Sequence, residues 1–396
     1  MDQQTTIKIF NGKIITPEKI IDGGSVMITG GTISSISENN MESGKAVEID
    51  AQGNYISPGF IDIHVHGGGG YDFMDGNQEA FLKIAETHAR YGTTAMLPTT
   101  LTSTKAEILH ILDVYEEANR HNTHGARFLG MHLEGPYFAM SQRGAQDPRY
   151  IRNPDPAEYR DILSKSSCIK RWSAAPELEG AVEFGKYVKS KGVLPAIAHT
   201  DAIYEEVITA FESGYTLATH LYSAMSGVTR RNAFRYAGVI ESAFLIDEMD
   251  VEIIADGLHL PAPLLKLVYK IKSANHTALI TDAMRAAGTG VRESVLGNID
   301  SGIRVIIEDG VAKLPDRSAF AGSIATADML VRTMVYTAGV SLMDSVKMMT
   351  STPARIMGIS EKKGEIAVGK DADIVIFDKN IHVTMTMIGG KVIRRV

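Results

Sequence analysis

Between about Pro58 and Lys363, short apolar runs alternate with longer stretches whose apolar positions recur at helical spacing. The short runs fall at 60–65, 94–98, 127–133, 170–174, 193–198, 215–219, 251–255 and 277–281. Helical patterns lie between them, for example at 78–91, 104–120, 180–191 and 202–213. Eight strands alternating with helices predict an α/β fold, a (β/α)8 TIM-like barrel closed by parallel strands. The count depends on where the boundaries are drawn, and a doubly wound sheet is the alternative.

The two ends of the chain are patterned differently. Residues 7–10, 13–15, 25–29 and 32–36 are rich in β-branched side chains, punctuated by Asn11-Gly12, Asp22-Gly23-Gly24 and Gly30-Gly31. The style returns at 373–377 and at 387–393, which holds a Gly389-Gly390 turn. Chain termini often lie close together, so residues 1–57 plus 364–396 are expected to form one small β-sandwich domain beside a catalytic barrel of residues 58–363. The length agrees, since 396 residues exceed what one barrel ordinarily needs.

Composition narrows the class only a little. With 44% apolar and 22% charged residues the chain is an ordinary soluble globular protein. A net charge of −7 argues against nucleic acid or an anionic membrane as the main partner, while leaving room for a local Arg or Lys pocket that takes a small anion. The single cysteine, Cys168, excludes an internal disulfide and a Cys-rich metal site. MDQQTTIKIF has neither a basic n-region nor a long apolar run, and no stretch reaches the roughly 18 apolar residues of a membrane span. A reducing cytoplasm is the expected setting.

Chemistry enters at the strand ends. The first run leads into His64-Val65-His66, the third into His132-Leu133-Glu134, the fifth into His199, the sixth into His220, the seventh into Asp256-Gly257-Leu258-His259 and the eighth into Asp282. In a barrel these ends converge on the face that carries active sites. Residues two apart on a strand share a side, so His64 and His66 can face one cation. With Glu134, His199 and His220 they form a nitrogen and oxygen donor set suited to a divalent metal, zinc or iron. Five ligands exceed the three a single catalytic zinc usually takes, so one or two ions per subunit are expected. His132 reads either as a support behind the ligands or as plain core. Asp282 can bind metal, carry a proton or cap the next helix; the metal on the same face favours proton transfer.

These residues also carry a resemblance. Pro58-Gly59-Phe60-Ile61-Asp62 followed by His64-Val65-His66, and Gly364-Glu365-Ile366 with Gly369-Lys370-Asp371-Ala372-Asp373 near the other end, resemble the amidohydrolase superfamily. His132–Pro136, Ala198-His199-Thr200, Thr219-His220-Leu221-Tyr222, Ala255–His259 and Thr281-Asp282-Ala283 resemble, within it, the family that deacetylates N-acetyl-D-glucosamine 6-phosphate. The likeness runs in order through nearly the whole chain. It implies that Glu134, His199 and His220 are the shared metal ligands, and that His64 and His66 serve a second ion. It implies Asp282 as the catalytic acid and base, and His259 as a substrate contact that polarises the acetyl carbonyl. It implies further substrate contacts at Ala145, Gln146, Ser223, Ala224, Phe320, Ala321 and Gly322. Arg231 matches a phosphate-binding arginine often supplied by the neighbouring subunit of a homodimer.

Three departures bear on the sugar rather than the reaction. Gln146 stands where some members have histidine, Ser223 where asparagine is usual, and Arg230-Arg231-Asn232 where Arg-Glu-Pro is usual. N-Acetylgalactosamine 6-phosphate is therefore an alternative substrate, and Arg230, Arg231 and Arg235 read equally as a solvated patch or a subunit contact. Another amidohydrolase, such as a D-amino-acid deacylase or a cyclic amidase, is a further alternative. Many cyclic amidases bridge two metals with a carboxylated lysine, and here Glu134 fills that slot. A barrel that has lost its activity would be expected to have lost ligands, which this sequence keeps.

Overall fold

The structure, a computed structural model, describes residues 6–42 and 44–396. Residues 1–5, part of the segment read for a leader, lie outside the described residues. Among the described residues no helix is long and apolar enough to cross a membrane.

Each of the eight apolar runs overlaps a strand: β1 (Phe60–Val65), β2 (Thr93–Pro98), β3 (Met131–Glu134), β4 (Ile169–Ala174), β5 (Leu194–Ile197), β6 (Leu217–Ala218), β7 (Asp250–Ile253) and β8 (Thr277–Leu279). β1 pairs in parallel with β2, and β3 to β8 pair in parallel, each with the next. Helices Gln78–Ala89, Lys105–His121, Pro156–Lys165, Ala181–Ser190, Tyr204–Glu212, Val239–Leu245 and Ala262–Lys272 separate successive strands, and Ala327–Tyr336 follows β8. Their starts are set locally. Asn77 accepts a bond from Ala80 N, and Thr104 and Glu107 form a reciprocal capping box.

The run at 127–133 is broken in the structure. Arg127–Phe128 pairs with β2, whereas Met131–Glu134 pairs with β4, so the chain changes sheets between them. Gly130 makes the step possible at φ 123°, where a Cβ would lie 2.2 Å from Lys170 Cγ. Backbone bonds cross this seam, with Thr100 N donating to His132 O at 3.0 Å. They also cross the seam between β8 and β1, where Asp282 N donates to His64 O and His66 N to Ala283 O, both at 2.9 Å.

Beneath the strand ends the packing is partly polar. Arg171 on β4 and Glu252 on β7, both fully buried, form a bidentate ion pair. Arg171 also donates to Ile63 O at 3.1 Å and to Thr219 Oγ1 at 2.7 Å. Burying two charges is costly unless each is paired and hydrogen-bonded, and here both conditions are met.

The terminal segments pair with one another. Two runs expected at 7–10 and 13–15 form a single strand, Thr6–Ile15, bulged where Asn11 takes φ 56°. Its first half lies parallel to Val47–Asp50 and its second half to Tyr55–Pro58. Tyr55–Pro58 then pairs antiparallel with Ile374–Phe377, which pairs with Val383–Ile388. Ile9, Ile14, Val26, Ile56, Ile374 and Met387 form an apolar cluster of their own here.

One element was not anticipated. Glu293–Leu296, Ile303–Glu308 and Val311–Lys313 form a small antiparallel sheet after β8. Arg285 ties it down, donating to Gly297 O at 2.7 Å and pairing with Asp75.

Candidate metal centre

Glu134 ends β3, and His199, His220 and Asp282 lie just beyond β5, β6 and β8. Backbone geometry sets them apart from their neighbours. His199, His220 and Asp282 take φ values of 48°, 32° and 47°, in a left-handed region that non-glycine residues rarely adopt. Each such residue costs on the order of 1–3 kcal/mol and persists only where the surroundings enforce it. The chain turns sharply at these points and swings each side chain over the strand ends.

The side chains meet around Glu134. Its Oε1 lies 3.1 Å from His220 Nε2, 3.3 Å from His64 Nε2 and 3.4 Å from His199 Nε2, and its Oε2 lies 3.4 Å from His66 Nε2. Asp282 Oδ1 stands 3.2 Å from His66 Nε2 and 3.6 Å from His64 Nε2. Two triads result, His64 with His66 and Glu134, and Glu134 with His199 and His220. In each triad the donor atoms lie within 4.8 Å of one another, close enough to share an ion.

The backs of the rings explain their aim. His199 Nδ1 is bonded to Gln142 O at 2.8 Å, His220 Nδ1 to Ser223 O at 3.2 Å, and His66 Nδ1 to Thr99 O at 3.3 Å. A proton held at Nδ1 by a carbonyl leaves the Nε2 lone pair free for a cation. His64 Nδ1 lacks a hydrogen bond and faces Glu252 Oε2 at 3.8 Å. His132 does not reach the centre. It bonds Ser173 Oγ at 2.7 Å and packs edge-on against His64, so it supports the ligands from behind.

The electrostatics fit a cation. Burial lowers the proton affinity of His64, but the Glu134 and Asp282 carboxylates outweigh it and push its pKa up to about 9. His66 is raised for the same reason. Burial raises the Glu134 carboxyl, yet the surrounding imidazoles hold it well below its usual value. Asp282 is likewise held low despite its burial. A field that keeps protons on buried imidazoles is one that favours a divalent ion in their place. The donor set and its charge therefore fit a divalent metal ion.

Above the centre opens a cavity of ≈410 Å³. His66, Glu134, His199, His220, His259 and Asp282 contribute to it, together with Ala145, Gln146, Ser223, Ala224, Phe320 and Gly322. His259 is fixed by Asp256, which bonds its Nδ1 at 2.7 Å and turns the other nitrogen away from the pair. Phe320 packs on the His259 ring at 4.6 Å between centroids. Two expected contacts stand elsewhere. Ala321 is buried behind the cavity wall. Arg231, with Arg230 and Arg235, lies on the exposed hairpin Thr229–Arg231 and Phe234–Tyr236, over the Tyr236 ring and outside this cavity.

Residues 55–393 match the model of the amidohydrolase family. This chain belongs to the amidohydrolase family. The amidohydrolase is 33% identical over 386 residues to N-acetylglucosamine-6-phosphate deacetylase of Bacillus subtilis (strain 168), covering 96% of this chain and 95% of that one. It is 31% identical over 380 residues to N-acetylgalactosamine-6-phosphate deacetylase of Escherichia coli O157:H7, covering 96% and 97%. A crystal structure of N-acetylglucosamine-6-phosphate deacetylase from Pasteurella multocida superimposes with a TM-score of 0.90 at 28% identity, covering 98% and 99% of the two chains. The amidohydrolase thus has a TIM-like barrel fold.

Sequence reasoning missed several parts of the site. Ser141, Gln142 and Tyr222 line the cavity, as do Leu296 and Ala319 from around the small antiparallel sheet. Arg171 and Glu252 lie behind His64. The last two had a readable signal, being opposite charges inside apolar strand runs. The others had none, because loop geometry alone brings them in.

Proposed function

We propose that this amidohydrolase removes the N-acetyl group of an amino-sugar 6-phosphate, N-acetyl-D-glucosamine 6-phosphate first, giving D-glucosamine 6-phosphate and acetate. One observation carries the reading: Glu134, His199, His220 and Asp282 converge within a single cavity in a chain alike over 96% of its length to a deacetylase of that name. Glu134, His199 and His220 would hold the principal ion, zinc or iron, and His64 and His66 with Glu134 would hold a second. A bound divalent cation supplies a Lewis acid for the acetyl oxygen and makes water acidic near neutral pH.

The chain's own groups do the rest. Asp282 accepts a proton from the attacking water as its oxygen bonds to the acetyl carbon. It then passes that proton to the sugar nitrogen as the C–N bond breaks, releasing acetate and the free amine. His259, steadied by Asp256, donates to the carbonyl oxygen as negative charge gathers there. Ala145, Gln146, Ser223, Ala224, Phe320 and Gly322 shape the sugar site, with Ala321 behind its wall. Arg231 takes the phosphate from the partner of a homodimer, which its exposed hairpin and its absence from the lining of its own cavity support. The guanidinium fork suits phosphate oxygens.

The same reading takes residues 58–363 as a closed (β/α)8 catalytic barrel and residues 1–57 plus 364–396 as a small β-sandwich domain. Bonds across both seams support the first, and the pairing of Tyr55–Pro58 with Ile374–Phe377 supports the second. A cytoplasmic setting accords with a buried free thiol at Cys168.

N-Acetyl-D-galactosamine 6-phosphate is the second reading, favoured by the Escherichia coli O157:H7 relative. The test is release of free amine from both N-acetylhexosamine 6-phosphates and their unphosphorylated forms, with bound metal measured in the same samples. Turnover of the 6-phosphates that is lost to a chelator and restored by zinc or iron is expected. No deacetylation of either 6-phosphate by the metal-loaded protein would end the proposal.

A further inference from the structure

We infer that Gln146 is a positioning residue for the metal-binding carboxylate of Glu134, in addition to walling the sugar site. This rests on reading Glu134 as a metal ligand. Gln146 is 5% exposed, and both ends of its amide are engaged. Nε2 donates to Glu134 Oε2 at 2.7 Å, and Oε1 accepts from Thr102 N at 2.8 Å. The amide orientation is dictated by these partners, since flipping it would set oxygen against a carboxylate and an N–H against an N–H.

The consequence lies at Glu134. Its Oε1 faces His64, His199 and His220, while Oε2 has His66 and the Gln146 amide. A carboxylate held at one oxygen only can swing about its last bond. The Gln146 bond fixes the plane, and the backbone of Thr102 fixes Gln146. The loop that carries Gln146 braces a second ligand as well, because Gln142 O holds His199 Nδ1 and Ala139 N donates to His199 O at 2.9 Å. One short stretch of chain after β3 thus supports Glu134 through a side chain and His199 through backbone.

Gln146 is also part of a partition. With Leu101, Ala145 and Leu296 it separates the cavity over the metal centre from a neighbouring one of ≈300 Å³. Truncation to alanine would open a passage and confound the reading, so substitutions of similar size are needed. Gln146→Met keeps the wall and removes both bonds. Gln146→Glu keeps an acceptor for Thr102 N but sets a second carboxylate oxygen against Glu134.

The experiment is zinc affinity of the full-length protein and both variants by competition with a chromogenic chelator, alongside KM at saturating zinc. Metal affinity is expected to fall roughly 10–100-fold in both variants, the usual cost of losing a partner behind a metal ligand. Zinc affinity, measured without substrate, is the deciding readout, and KM at saturating zinc reports separately on the part Gln146 plays in the sugar wall. Unchanged zinc affinity with a raised KM would overturn the inference and leave Gln146 a sugar contact only. Should Gln146→Met not fold, the near-isosteric Gln146→Glu decides alone. Failure of the parent protein to take up zinc or iron would instead strike the metal reading itself.

Discussion

The floor of the cavity and the arginine hairpin beside it are built in opposite ways. On the floor, Glu134 has partners on both oxygens, and the rings of His66, His199 and His220 are each held from behind. On the hairpin, Arg230, Arg231, Phe234 and Arg235 are exposed, with Phe234 at 72%. The floor is complete within one chain, whereas the hairpin presents groups whose use requires something outside it. On the proposed reading, reaction chemistry is fixed by folding, and recognition of the phosphate end is left to assembly.

The sharpest way to break that contrast is at the floor. Asp282→Asn is expected to lower kcat by roughly 10²–10⁴-fold, the usual worth of a placed acid–base group. Metal content should stay near that of the parent, because the Glu134, His199 and His220 triad does not include Asp282. Steady-state kinetics with elemental analysis checks it, and full activity in the variant removes Asp282 from the mechanism.

Arg171→Met probes whether the floor depends on the charges beneath it. It strands Glu252 as a buried carboxylate without its cation, at a cost of about 3–5 kcal/mol. Denaturant unfolding reads this directly, and an unshifted midpoint would mean that the pair adds nothing to stability.

Arg231→Ala probes the other side of the comparison. Losing a charge-assisted bond to phosphate should raise KM for the 6-phosphate roughly 10–100-fold and leave KM for the plain N-acetylhexosamine unaltered. Equal effects on both substrates dissociate Arg231 from phosphate. Mixing this variant with an Asp282→Asn chain sharpens the result further. Activity recovered in mixed dimers would mean that the arginine acts across the interface.

Phe320→Ala should have the smallest effect. The ring packs at a tilt against His259 while 41% exposed, and losing such a contact lowers kcat/KM by roughly two- to tenfold. A larger loss would move Phe320 from shaping the site to holding His259 in place.

How far the sequence could be read follows the same division. All eight parallel strands overlap the apolar runs, because burial on both faces leaves an unambiguous pattern. The residues at their ends meet in one cavity for a reason of geometry, since parallel strands deliver their ends to one face. The break at Gly130 was not legible, because a change of sheet inside an apolar run leaves the hydrophobic pattern intact. Nor was the small sheet over the cavity, whose strands are short and half exposed. The position of Arg231 outside its own cavity could not be read from spacing, since a hairpin can carry a side chain toward the site or away from it. Gln146 was read only as a neighbour of the sugar. Its hold on Glu134 depends on a loop path that no periodicity encodes.

The pairing of Tyr55–Pro58 with Ile374–Phe377 has a consequence for biogenesis. The strand that delivers His64 and His66 leaves directly from this pair, and Thr386 Oγ1 donates to Ala89 O across 297 positions of sequence. During synthesis the early partners wait, unpaired, until their partners far along the chain have been made. Closing contacts so distant along the chain is slow. The window in which an apolar strand stands open is correspondingly long, and such windows are where aggregation begins. For this protein, a stretch translated long afterwards completes the support of the strand that carries His64 and His66.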